Sequence, residues 1–180
     1  MNSPYKILPH YTYKEWALWE GKWELIDGIP HAMSPSPVPR HQRLASELNT
    51  ELNLALRNSK CGKACKVYEP IDYKISEDTI LIPDILIVCN EIKKPYLDFA
   101  PALVVEILSP STALKDRNTK YQLYEQEQVK YYLIADPDKE TIEVYTLTDN
   151  KYVLQPFTAS FVFELEKGCS ITVPFNHIFS

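Results

Sequence analysis

The sequence predicts one α/β or α+β domain around a mixed sheet, and three observations predict it. A chain of 180 residues fits a single hydrophobic core. Residues 41–57 carry Leu44, Ala45, Leu48, Leu52, Ala55 and Leu56 at spacings of three and four, the stripe of one long buried helix. Beyond them come short apolar runs at 80–88, 102–108 and 131–135, with a helical pattern at 114–128 between the last two, so that strands and a helix share one sheet.

Each element has a local cause. Thr12 followed by Glu15 has capping-box spacing, with Trp16, Ala17 and Trp19 behind it and Gly21 as a stop, which predicts a short first helix. Residues 23–33 read as two short strands about Asp27-Gly28, a dipeptide suited to a tight hairpin because glycine tolerates positive φ. Residues 34–39 hold three prolines and predict a loop, with Pro39 opening the long helix. Strand composition returns at 66–68 and 71–75, ahead of the apolar runs. Ser109-Pro110-Ser111-Thr112 breaks the chain and supplies potential N-caps for the helix at 114–128. The strand at 131–135 is closed by Asp136-Pro137, 141–147 and 152–157 alternate as a hairpin about Asp149-Asn150, and 161–165 adds one more strand.

Composition narrows the function classes. Hydrophobic residues make up 45% of the chain and charged residues 24%, so a packed core is expected and wholesale disorder is not. A formal charge of -5 argues against coating nucleic acid by bulk electrostatics, so any DNA contact must be local. The four glycines stand alone, which leaves no glycine-rich cradle for a nucleotide phosphate. Cys61 and Cys65 resemble half a zinc site, but Cys89 and Cys169 are far apart and no histidines form a close pair, so structural zinc is not expected. The start of the chain lacks a signal-peptide core, and no apolar run approaches the roughly 18 residues of a membrane span. The expectation is a cytoplasmic protein with reduced thiols and no membrane partner.

The informative residues are the acids inside the apolar runs. Asp84 interrupts 80–88 and Glu106 interrupts 102–108. An ionised carboxylate there costs several kcal/mol unless it is paired, hydrogen-bonded or bound to a metal. If the two runs pair antiparallel, the register that sets Val88 opposite Ala102 also sets Asp84 opposite Glu106 on one face. Two carboxylates so close call for a cation between them, and a hard divalent ion suits oxygen ligands. The alternative is that one acid faces a strand end while the other pairs with a lysine. Glu24, between Trp23 and Leu25, is either a third member of the site or a solvent-facing strand residue. Asp116, Lys120 and Tyr124 line one helix face, with Lys115 and Arg117 on others; Lys120 is either an exposed partner of Asp116 or a cation aimed at the acids.

Pro83-Asp84, the strand carrying Glu106 and the helix beyond it resemble the PD-(D/E)XK nuclease superfamily. More closely, the chain resembles the Uma-two family of restriction-endonuclease-like proteins, abundant in cyanobacteria. The resemblance runs from about Thr12 to the end. It is carried by Glu24-Leu25-Ile26-Asp27-Gly28, Met33-Ser34-Pro35 with His41 after it, Pro83-Asp84-Ile85 and Val104-Val105-Glu106-Ile107-Leu108-Ser109-Pro110-Ser111-Thr112. Asp116, Lys120, Tyr124 and Tyr132-Leu133-Ile134-Ala135-Asp136-Pro137 complete it.

The resemblance implies a single restriction-endonuclease-like domain over residues 1–180, a central mixed β-sheet flanked by helices with additional antiparallel strands. It implies magnesium or manganese held by Asp84 and Glu106, and hydrolysis of phosphodiester bonds in DNA. Many enzymes of this fold cut two strands as dimers, so a homodimer is a further expectation. One departure matters: the lysine expected two residues after Glu106 is Leu108, and the helical Lys120 is taken to replace it. The implied catalytic set is Asp84, Glu106, Lys120 and Glu24. His41 is left to contact phosphate, to cap its helix, or to have no catalytic duty. A catalytically inactive nuclease-fold module that binds nucleic acid or protein is the alternative, favoured by Leu108 and the acidic balance.

Overall fold

The computed structural model describes residues 8–33 and 38–180; most of the expected proline loop and of the chain start lie outside them. Along the chain run α1 (Tyr13–Trp16), β1 (Trp23–Ile26), β2 (Ile29–Ala32), α2 (Pro39–Arg57), β3 (Lys66–Tyr68), β4 (Tyr73–Lys74), β5 (Ile80–Leu81), β6 (Ile85–Val88) and β7 (Leu103–Ile107). Then follow α3 (Ala113–Lys115), a π-helical turn (Asp116–Lys120), α4 (Tyr121–Gln126), β8 (Tyr131–Asp136), β9 (Thr141–Thr148), β10 (Lys151–Gln155), β11 (Ser160–Glu164) and β12 (Ser170–Pro174).

The central sheet has the order β10-β9-β8-β7-β6-β3. Only β7 and β8 run parallel in it, and they are the pair whose connection contains the helix, as a crossover requires. A smaller antiparallel sheet has the order β2-β1-β5-β4, and β11 pairs with β12 as a hairpin. This is the mixed sheet with added antiparallel strands that the sequence predicts.

Alternate residues of β6, β7 and β8 enter opposite cores. Ile85, Ile87, Leu103, Val105 and Leu133 pack with the leucine stripe of α2. Leu86, Val104, Leu108, Tyr132 and Ile134 pack with Tyr124 of α4. Burial on both faces is why these strands read as continuous apolar runs instead of alternating ones.

The run at 80–88, expected as one strand, is two. Pro83 has no N–H to give a ladder, and around it the chain leaves the small sheet, where Ile80 pairs with Leu25, and enters the central one. Residues 82–84 are therefore the joint between the two sheets. The strand β12 has no counterpart among the sequence expectations; its Ile171 and Val173 fill the core on the α2 side together with Phe163.

Local expectations elsewhere hold. The Thr12 amide donates to Glu15 Oε2 at 2.7 Å, closing the capping box. Both hairpin dipeptides adopt two successive positive φ values, 48° and 73° at Asp27-Gly28 and 50° and 62° at Asp149-Asn150, as a type I′ turn demands. At Gly28 a Cβ would also stand 2.3 Å from the His10 ring. Gly28→Ala should therefore cost about 1–2 kcal/mol, read as a lower midpoint in thermal melts. An unchanged midpoint would mean that the turn and His10 yield freely.

The expectation of reduced thiols is corrected. Cys61 is bonded to Cys169 and Cys65 to Cys89. Cys65 and Cys89 flank β3 and β6, whose antiparallel pairing of Lys66 with Val88 brings them face to face with Cα atoms 3.8 Å apart. Among the described residues, no helix is long and apolar enough to cross a membrane.

Candidate active site

Asp84 stands immediately before β6 and Glu106 lies within β7, where Ile85 pairs with Val105. The expected register is the one observed, and Glu106 faces the α4 side of the sheet with Val104 and Leu108. At Asp84 the ladder gives way to a side-chain clip: Asp84 Oδ2 accepts the backbone N–H of Ile107 at 2.8 Å. From α2, His41 Nε2 stands 3.4 Å from the same oxygen. His41 thus touches an acid of the site instead of capping its helix.

Glu106 is buried. Its Oε1 accepts from Lys120 Nζ at 2.9 Å and from Tyr124 Oη at 2.6 Å, and no described residue donates to Oε2. Lys120, with only 3% of its side chain exposed, also reaches Glu24 Oε1 at 2.7 Å and Asp116 Oδ1 at 3.5 Å. The space that a lysine two residues after Glu106 would fill is closed by Leu108, and the cation beside Glu106 comes from the helix.

Glu24 is fully buried and not solvent-facing. Its Oε1 accepts the Ile82 amide at 3.1 Å in addition to Lys120, and its Oε2 accepts from Lys115 Nζ. Both oxygens are committed to protein donors. Lys115 is the participant that sequence spacing missed. The chain between Lys115 and Tyr124 passes through the π turn, which takes in an extra residue, so helical-wheel positions before it do not predict faces after it. Tyr132 Oη, donating to the Asp116 carbonyl at 2.9 Å, holds that turn against the sheet.

These groups border a cleft of about 510 Å³, with His41, Asp84, Glu106, Ser109, Lys115 and Lys120 in its wall. The fold and this arrangement can be set beside known proteins. The sequence profile of the family described as "Uma2: Putative restriction endonuclease" matches residues 11–173. The chain belongs to the Uma2 family. An uncharacterised protein of Synechocystis sp. (strain ATCC 27184 / PCC 6803 / Kazusa) is 28% identical over 184 residues, covering 96% of this chain and 94% of that one. The crystal structure of "a putative nuclease belonging to DUF820" from Anabaena variabilis ATCC 29413 superposes with a TM-score of 0.73 over 93% of this chain and 97% of that one. At 18% identity this likeness is one of fold.

In this Uma2 protein two neighbouring glutamates are driven in opposite directions. Burial raises the Glu24 carboxyl, but two lysines outweigh it, and the acid is held below its ordinary value. Burial also raises Glu106; there a single shared lysine is opposed by Asp116, Asp84 and Glu24, and the acid ends well above its ordinary value. Burial lifts Asp116 as well. For Lys120 burial works against the charge, but Glu106, Glu24 and Asp116 overcome it and hold the ammonium protonated. His41 is lowered by burial and raised more strongly by Asp84, ending above the usual histidine value.

Among the described residues the four acids Glu24, Asp84, Glu106 and Asp116 face Lys115, Lys120 and His41, so the Uma2 cluster carries more acid than base. Among the described residues no three Asp, Glu, His or Cys side chains form a ready metal cage. Magnesium does not require one, since it is commonly held by one or two carboxylates together with waters and substrate phosphates. Two hard-oxygen side chains on adjoining strand ends fit such an ion, as do a Glu106 Oε2 and a buried Asp116 Oδ1 that receive no hydrogen bond from the described residues, Lys120 standing 3.5 Å from the latter.

Proposed function

We propose that this Uma2 protein is a metal-dependent endonuclease that hydrolyses phosphodiester bonds in DNA. One observation carries the reading: Asp84 and Glu106 on adjoining strand ends, with Lys120 locked to Glu106, at the wall of an open cleft. Family membership supports it.

Asp84 and Glu106 would hold magnesium or manganese, which when bound activates a water and offsets charge on the phosphate. The chain's own residues prepare that task. Lys120 and Tyr124 both bond Glu106 Oε1, which fixes the carboxylate and leaves Oε2 for the ion. Lys120 orients the water and offsets the charge that accumulates beside Glu106. The Ile107 amide fixes Asp84 in the same way. Glu24 is a positioning residue, since both of its oxygens are occupied by lysines and an amide. A cytoplasmic location and a homodimer, one site per DNA strand, belong to the same proposal.

A second reading has its own support. Leu108 in place of the motif lysine, and the lack among the described residues of a three-ligand group, fit an inactive module that binds nucleic acid or protein.

Two measurements separate them. With manganese, the purified protein should nick plasmid DNA and Asp84→Asn should stop it; equal nicking by both would indicate a contaminant. In titration calorimetry with magnesium or manganese, Glu106→Gln should abolish a site present in the wild type. The same variant should melt no lower in chelator, because it removes one of several clustered acids while Gln can still accept from Tyr124. No metal heat and no nicking by the wild type would establish the inactive module.

A further inference from the structure

We infer that Lys115 is the side chain that grips a phosphate of the bound DNA, with Glu24 as the residue that positions it. This deepens the nuclease reading and rests on it.

The inference begins from a donor inventory. A lysine ammonium has three N–H donors and no acceptor. Lys120 is paired with Glu24 at 2.7 Å and Glu106 at 2.9 Å, stands 3.5 Å from Asp116, and is almost completely buried. It could approach an anion only by uncovering acids that it now neutralises, at several kcal/mol of buried unpaired charge. Its charge is balanced inside the cluster, where its remaining donor serves the water proposed above.

Lys115 differs in every respect that matters for binding an anion. Among the described residues its Nζ has one acceptor, Glu24 Oε2, which leaves two donors unused. Its side chain is 17% exposed, against 3% for Lys120, and it borders the cleft beside Ser109 and Thr112. Glu24 would not be stranded if Lys115 leaned toward a ligand, because Lys120 and the Ile82 amide still hold its other oxygen. The pair therefore fixes the resting place of Lys115 without saturating it. Its charge is also felt on the neighbouring strand: His31, paired with Glu24 in the β1-β2 ladder, is lowered first by burial and then by Lys115. The exposed Lys22 also borders the cleft, but Lys115 is the partly solvated ammonium held in place beside the acids, where an incoming phosphodiester would meet it.

The experiment measures binding and cutting separately. Binding of a labelled DNA duplex is followed by fluorescence anisotropy against salt, in magnesium and in an Asp84→Asn background so that no strand is cut. Adding Lys115→Gln should weaken binding about tenfold and reduce the slope of log K against log salt by about 0.9, the value for one phosphate contact on B-form DNA. Lys115→Arg should restore affinity and slope, and thermal melts of both variants show that the fold persists. In the nicking assay with manganese, Lys115→Gln in the otherwise wild-type chain should lower the rate at least tenfold and Lys115→Arg should recover it. An unchanged salt slope in Lys115→Gln, with a wild type that nicks, overturns the inference and leaves the nuclease intact. A reduced slope with a wild type that does not nick overturns the nuclease and leaves the phosphate contact. No DNA binding in the Asp84→Asn background overturns the contact.

Discussion

Lys120→Met should cost the folded protein about 3–5 kcal/mol and abolish cleavage. The size follows from what the ammonium touches: Glu24, Glu106 and Asp116 are all buried, and methionine would fill the volume without supplying charge. For a domain of this size the loss corresponds to a midpoint roughly 10 °C lower in a thermal melt. The effect should depend on pH, with a definite sign. An acid whose folded value lies above its unfolded one, as burial and neighbouring acids make Glu106, takes up a proton on folding, so its penalty is present at high pH and fades as pH falls. Removing Lys120 removes the main influence opposing that rise. The variant's deficit should therefore be larger at about pH 8 than at about pH 5. A second change, Glu106→Gln, should recover part of the loss by removing one uncompensated acid. A Lys120→Met protein that melts with the wild type at all pH values would show that the cluster is not held by this lysine.

Reduction of the disulfides should be comparably large. Cys61–Cys169 closes 108 residues of chain and Cys65–Cys89 closes 24, which on the chain-entropy account contribute about 4–5 and about 3 kcal/mol respectively. Both hold the α2 face of the central sheet, where Cys61, Cys65 and Cys89 are buried in the core with Leu52 and Leu56. Melts with and without dithiothreitol, beside a count of reactive thiols before and after unfolding, test this. Four reactive thiols in the purified chain, with no shift on reduction, would refute the pairing. Disulfides are uncommon in a reducing cytoplasm, so the thiol count also bears on the proposed location.

Much of the site can be read from the chain because its residues interrupt strong patterns. Asp84 and Glu106 break apolar runs, and the symmetry of those runs sets their register. Leu108 falls on the Glu106 face because strand side chains alternate, and that leaves the helix as the source of a cation. What stays hidden depends on contacts between distant segments. The cysteines give no spacing signal, because Cys65 meets Cys89 only through the pairing of β3 with β6. The strand at 80–88 looks continuous because both halves are buried, and only the change of sheet at Pro83 separates them. The solvent-facing alternative for Glu24 rests on alternation, but Glu24, Leu25 and Ile26 are all buried, since that strand is covered on both sides. Lys115 escapes detection because a wheel drawn at regular α-helical spacing has no place for a π turn.

Glu24 belongs to the small sheet, while its two lysines belong to the helix over the central sheet. The contact between Glu24 and Lys115 spans 91 residues, so it closes a long loop and must follow the local hairpins and helix turns. Competence then waits on contacts between distant segments. A newly made chain can have its Asp84–Glu106 strands paired and still lack the arranged lysines, and a folded chain whose small sheet briefly peels away returns to that state. Such partial openings lie below global unfolding in free energy. The amide of Ile82, covered by Glu24 when the sheets are docked, should report them by hydrogen exchange faster than the amides of β7. For the nuclease proposed above, a site that disarms before the fold is lost acts as a safeguard built from chain order alone.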